Sequence, residues 1–202
     1  MSAPERRRDV VVAGHRRDPD TVVRHLADPD AGVRVAALGA AERLGVLSDA
    51  QVETAFADPA PSVRRRAAEL AGTRPPISLL ALLDDPDASV VETAAWACGE
   101  QVAVDDDVLD LLIVLTTTAN DPLVREAAAA ALGAIGDQRG LPAILCACND
   151  KPHIRRRAVL ALAPFDGNEV ETAIDRALED RDWQVRQAAE DLRRAAGELD
   201  LR

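Results

Sequence analysis

The chain has 202 residues, 24 basic against 35 acidic, and a formal net charge of −11 at neutral pH. That field opposes non-specific attraction to nucleic acid or to an anionic membrane. Apolar residues make up 48% but aromatics only 2%, with no Tyr, so the core must be built of thin layers of Ala, Leu and Val on closely packed helices, and an all-α class follows.

Residues 1–17 are expected to form an N-terminal arm without fixed structure. It carries Arg6, Arg7 and Arg8 and then a four-residue apolar run at 10–13. Four residues are too few for a signal-peptide core, and no stretch approaches the ~18 apolar residues a spanning helix needs. With Cys98, Cys146 and Cys148 forming no C-x-x-C pair, a reducing, cytoplasmic location is expected.

From residue 18 the chain repeats. An apolar segment at 21–27 stops at Asp28-Pro29, and a second run follows with Val33-Arg34 and Ala36-Ala37-Leu38. Further first helices are expected at 49–57, 77–84, 107–119, 141–148 and 169–179. Each leads into a second helix: Asp58-Pro59 with Val63-Arg64, Asp85-Pro86 with Val90-Val91, Asp121-Pro122 with Val124-Arg125, Asn149-Asp150 with Ile154-Arg155, and Asp180-Arg181-Asp182 with Val185-Arg186. The Val or Ile anchors at 33, 63, 90, 124, 154 and 185 are spaced by 30, 27, 34, 30 and 31 residues, room for two short helices and two tight connections. Pro61, Pro122 and Pro152 fall in the first turn of a second helix, where a missing N–H costs nothing. Gly45, Gly72, Gly99 and Gly133 fall near the ends of second helices, as C-caps would. A single domain over 18–197 and a tail over 198–202 complete the expected organisation.

The fourth copy, Asp121-Pro-Leu-Val-Arg-Glu-Ala-Ala-Ala-Ala-Ala-Leu-Gly-Ala-Ile-Gly-Asp137, resembles the short HEAT-like repeats also called phycobilisome-lyase-type repeats. The resemblance covers about 18–197. It implies an α-solenoid of about six antiparallel helix pairs in a right-handed superhelix, with the second helices on the concave face. It also implies an Asp–Arg ladder between consecutive repeats. Arg34, Arg64, Arg125, Arg155 and Arg186 would be its bases, with Asp28, Asp58, Asn149 and Asp180 six residues before four of them. Val91 interrupts that series and Asn149 weakens it, so a bend or softer hinge is expected in the middle.

Packing and surface separate by offset from the anchor. Offsets four, seven and eight, such as Ala67, Leu70 and Ala71 or Ala94, Ala97 and Cys98, form one helical face and belong to the core, with Cys98 acting as a small hydrophobe. Offsets two, three and six are free of that demand. There Trp96 stands out, followed on the same face by Ala130 and Leu160. A concave Trp beside small residues suits a peptide groove; the alternative is that Trp96 fills a gap in a thin core. Arg65-Arg66 and Arg156-Arg157, three repeats and roughly 30 Å apart at the usual helix spacing, suit an acidic or phosphorylated partner. The alternative is a solvated face neutralised by Glu69, Glu92 and Glu126. Trp183 is expected to cap the end of the core.

No catalytic, metal or cofactor residues are assigned. HEAT-like proteins include scaffolds, bilin lyases, deoxyhypusine hydroxylases and alkylpurine DNA glycosylases. The hydroxylases need His-Glu pairs for two irons, whereas His15, His25 and His153 precede Arg16, Leu26 and Ile154. Cys146 and Cys148 point about 200° apart on a helix and cannot share an ion there. No Gly-rich phosphate loop or G-x-S-x-G is present. The expectation is a non-catalytic scaffold that binds a protein or peptide, with no nucleic acid, membrane or cofactor. The alternatives are a bilin-lyase-like protein or a DNA-repair-type HEAT protein. Its partner-binding candidates are Trp96, Arg65, Arg66, Leu160, Arg156 and Arg157.

Overall fold

The computed structural model describes residues 1–74, 77–101 and 103–199, with the side chains of all of these but 196, 198 and 199. Every regular element among them is a helix, and the contacts divide the chain into two compact units, Met1–Ala94 and Ala95–Arg202. One domain over 18–197 was the expectation from sequence; the division falls inside a second helix, shortly after Val91.

The N-terminal unit holds α1 (Ala3–Arg16), α2 (Pro19–Arg24, continued by a 3-10 turn to Ala27), α3 (Ala31–Leu44), α4 (Asp49–Ala55), α5 (Pro61–Ala71), α6 (Leu80–Leu83) and the start of α7 (Ala88–Glu100). Short first helices alternate with longer second ones. The second helices begin where the Asp-rich stops end: the Asp30 carboxylate accepts the Val33 N–H at 3.1 Å, leaving one fewer orphan donor. α3 ends on Gly45 at φ +70°, where a residue with a Cβ would be strained. α3 packs against both α1 and α5, and Val33, Ala37, Ala40 and Ala41 are fully buried between them.

The C-terminal unit holds the end of α7, then α8 (Asp106–Thr118), α9 (Pro122–Ile135), α10 (Leu141–Ala147), α11 (Pro152–Ala161), α12 (Asn168–Leu178) and α13 (Trp183–Leu199). Helix α9 packs on α8 and α11, and α11 on α13. Leu112, Leu132, Ile144, Ile154 and Leu162 fill the space between layers. α13 runs to Leu199, and 200–202 of the expected tail lie outside the described residues.

Three expectations need correction. Residues 3–16 form a helix rather than a loose arm. Ser2 and Glu5 make a reciprocal capping box, Val10 and Ala13 are buried, and Arg6 reaches Asp28. The third first helix is one turn, Leu80–Leu83, not 77–84; Ile77 and Leu79 still bury their side chains from irregular backbone. Gly99 and Gly133 are not caps. They lie inside α7 and α9, where a Cβ on Gly99 would stand 3.1 Å from the Ala131 Cα and one on Gly133 2.5 Å from the Ala161 Cα. These glycines let neighbouring second helices approach backbone to backbone. The φ-positive cap of α9 is Gly136.

Arg34, Arg64, Arg125 and Arg155 each work in two directions. The Nε and Nη2 of Arg34 donate to both Asp58 oxygens at 2.7 Å, while its Nη1 donates to the Asp28 carbonyl at 2.7 Å. Arg64 repeats this with Asp85 and the Asp58 carbonyl, and Arg155 with Asp180 and the Asp150 carbonyl. The guanidinium fork thus ties the start of its own second helix to the turn of the following repeat. Arg125 bonds Asp150, not Asn149, at 2.6 and 3.1 Å. The acid of that repeat is therefore intact, displaced by one residue. Arg6 with Asp28 is an additional rung at 2.7 and 2.9 Å, its sequence separation of 22 falling within the 21–25 of the others. Arg186 meets only the Asp180 carbonyl.

These pairs give the fold a pH dependence. The arginine bonds hold Asp28, Asp85, Asp150 and Asp180 below the ordinary 3.8. At Asp58 burial pushes upward, but the Arg34 bond and the Ala60 N–H outweigh it. With native values depressed, the unfolded chain binds more protons as pH falls, so the stabilisation is complete above the unfolded value and is lost below it. The urea midpoint is expected to be flat from about pH 7 to 5 and to drop steadily below about pH 4. A midpoint unchanged at pH 3 would contradict the ladder's role.

Candidate partner-binding faces

The second helices expose the side chains that packing does not claim. In the N-terminal unit, α1, α3 and α5 surround a depression of about 430 Å³ whose lining includes Arg7, Gly39, Arg43, Arg65, Arg66 and Glu69. Arg65 is exposed. Arg66 donates from Nη1 to Glu69 at 2.7 Å, one turn along the same helix, so half of this pair is neutralised as a solvated face would be. Arg7 and Arg43 had no role in the sequence reading. Their only signal there is helical spacing, Arg7 lying on α1 and Arg43 in the last turn of α3.

In the C-terminal unit, Trp96 sits on α7 with 48% of its surface exposed. Its neighbours in sequence, Ala95, Ala97 and Cys98, are the buried ones. Leu160 is half-buried on α11 beside exposed Arg156. Both line a depression of about 210 Å³ with Trp183, Gln187 and Asp191 of α13. Trp183 is 64% exposed, so it does not cap the core; it opens α13 and joins the Leu160 face. Arg157 approaches Glu126 at 3.7 Å. The structure thus brings Arg156, Leu160 and Trp183 together, while Arg65 and Arg66 belong to the other unit.

The first helices leave openings that no residue pattern announces. Between α10 and α12 lies a cleft of about 990 Å³ with Leu145, Ala173 and Ala177 on its walls and the Arg155–Asp180 rung among its lining residues. A smaller one of about 250 Å³ between α2 and α4 includes Arg34 and Asp58. Such gaps depend on how far apart successive first helices stand, which spacing in sequence does not encode.

Burial pushes the Cys98 thiol up to about 12, which leaves it protonated and unreactive at neutral pH. Cys148 is pushed to about 12 as well, by burial and then by Cys146. His15 and His25 each engage a carbonyl one turn back through Nδ1 at 2.8 Å. Among the described residues no His, Cys, Asp and Glu cluster has the arrangement of a metal site, and no helix is long and apolar enough to cross a membrane.

Comparison with known proteins places these features. A family model for HEAT repeats matches residues 76–163 and 109–193, together more than half of the chain. The fold is similar to that of YibA from Escherichia coli, at 19% identity and a TM-score of 0.63, covering 84% of this chain and 67% of that one. A designed armadillo repeat protein in complex with the peptide (KR)4 is 16% identical, with a TM-score of 0.64 over 88% of this chain and 98% of its own. An engineered protein gives 19% identity and 0.64 over 87% and 96%. Identities this low establish the fold alone, an all-α solenoid of the HEAT and armadillo type. No curated protein matches the sequence.

Proposed function

This chain belongs to the HEAT-repeat family, and from that premise we propose that it is a non-catalytic scaffold binding a segment of a protein partner on the exposed face of its second helices. The observation that carries the reading is Trp96, an indole left half in water on a helix that buries Val90, Val91, Ala94, Ala95, Ala97 and Cys98. A large ring in that position weakens the isolated protein's solubility and adds little to its core, whereas central aromatic anchors dominate binding interfaces. Leu160 and the more exposed Trp183 extend the apolar character of the same unit's surface, and Arg156 supplies a charged rim. A designed armadillo repeat protein of similar fold is in complex with the peptide (KR)4, which supports peptide capture as a use of such a fold.

Peptides selected from a random display library on the wild-type chain provide the test. Trp96→Ala is expected to weaken them at least about thirtyfold, the effect of a hot spot of about 2 kcal/mol. Its unfolding free energy is expected to stay within about 0.5 kcal/mol of wild type, as for surface substitutions. Peptides that bind the variant equally well, or a library that yields none, would remove the proposal. A steep loss of stability would return Trp96 to the core.

A further inference from the structure

The chain is acidic as a whole, yet one of its surfaces is not. Around the depression on α1, α3 and α5, four arginines face a single carboxylate, Glu69. Glu69 is occupied by Nη1 of Arg66, which leaves the Nε–Nη2 edge of that guanidinium without a bond. Among the described residues, Arg7, Arg43 and Arg65 have neither an ion pair nor a hydrogen-bond partner for their side chains. The contrast with the ladder is direct, because Arg34 and Arg64 on the same helices are each saturated by a carboxylate and a carbonyl.

Glycine leaves room for two of these guanidiniums. A Cβ on Gly39 would lie 3.3 Å from Nη2 and 3.8 Å from Nε of Arg66, and 3.5 Å from Nη1 of Arg43. A Cβ on Gly14 of α1 would lie 3.9 Å from Nη2 of Arg43. Arg43 therefore lies across the α1–α3 junction while Arg66 leans over α3 from α5, and both guanidiniums come within 3.5 Å of where a Cβ on Gly39 would stand. Repulsion between neighbouring guanidiniums is relieved by an incoming anion, which each can accept in a fork.

We propose that this face binds an acidic, Asp- or Glu-rich segment of a partner protein, one carboxylate seated between Arg43 and Arg66 and others reaching Arg7 and Arg65. This rests on the scaffold reading above and adds the chemistry of the ligand. A run of carboxylates suits the surface better than one compact polyanionic group, because the arginines are distributed over three neighbouring helices. At a helix spacing of about 10 Å that is a track of roughly 20 Å, the span of about six extended residues.

The test is an anisotropy titration of the full chain with fluorescein-labelled octaglutamate at low salt. Saturable binding is expected, weakened at least tenfold by the combined Arg7→Gln, Arg43→Gln and Arg65→Gln substitutions and weakened further by 0.3 M salt at about the 6 Å screening length that salt imposes. These three side chains have no partner among the described residues, so circular dichroism and the melting curve of the triple variant are expected to match wild type. Trp96→Ala is expected to leave octaglutamate binding unchanged, which separates the two proposals: library peptides that bind this variant as tightly as wild type remove the Trp96 anchor alone, and failure of the wild-type chain to bind octaglutamate removes the acidic track alone. Absence of saturable binding, equal binding by the triple variant, or octalysine binding as tightly would overturn the inference. So would binding of a phosphoserine peptide where octaglutamate fails.

Discussion

Gly133→Ala is expected to destabilise the C-terminal unit by about 2 kcal/mol, although alanine is the better helix former. In an exposed helix interior the exchange would gain up to about 1 kcal/mol from propensity. Here the new methyl would stand 2.5 Å from both the Cα and Cβ of Ala161 and 2.9 Å from its carbonyl oxygen. Those are backbone-level obstacles that no rotamer change removes, so α9 and α11 must part. Overpacking of this kind costs about 1–3 kcal/mol, at the upper end where only backbone can yield. Separating the helices also opens the small-residue layer of Ala128, Ala158 and Ala161, which has no long side chains to refill it. Gly99→Ala, 3.1 Å from the Ala131 Cα, should cost less, and Gly197→Ala, with nothing within 4 Å, should be neutral or slightly stabilising. Urea unfolding of the three variants measures the ranking. If Gly133→Ala is as stable as Gly197→Ala, the close approach of α9 and α11 is not what the structure shows.

Arg155→Ala is expected to be more damaging still, by about 3 kcal/mol or more. Arg155 is the one buried arginine among the described residues, 8% exposed, and it serves three acceptors: both oxygens of Asp180 and the Asp150 carbonyl. Removing it leaves a carboxylate, whose side chain is 15% exposed, beside an unoccupied space with no countercharge. Breaking such a pair from one side costs about 3–5 kcal/mol, because the remaining charge stays desolvated. Arg6→Ala, at the end of the array with its side chain 22% exposed, should lose only a fraction of that. Chemical denaturation should find the two losses clearly different. Equal losses would mean that burial does not set the strength of a rung.

Much of this was legible in the chain because the repeat is made of packing residues. The buried offsets that include Cys98 follow from residue type and spacing, since helical periodicity places every fourth and seventh residue on one face, and the Arg-to-Asp ladder is what the resemblance to HEAT-like repeats implied. Two local signals were present and went unread. Ser2-Ala3-Pro4-Glu5 is a capping box, and Arg6 stands at a ladder interval from Asp28, so α1 was recoverable as a helix. Asp150, next to Asn149, was the stronger acid of its turn.

Other features lay beyond any reading of spacing. Gly133 lies only three residues before the true cap, Gly136, and only the position of Ala161 on the next helix shows which glycine is needed for φ and which for closeness. Trp96 was open to two environments and Trp183 was expected to cap the core; the placement of neighbouring helices left Trp96 half and Trp183 largely in water. The gathering of Arg7, Arg43, Arg65 and Arg66 joins residues from three helices whose mutual rotation no single-helix pattern determines. By itself the sequence determined the fold class, the repeat and the core, because burial acts on each helix through its own periodicity. The tertiary structure alone decided which surface side chains meet, because that depends on the distance and rotation between helices, quantities set by contacts such as Gly133 against Ala161.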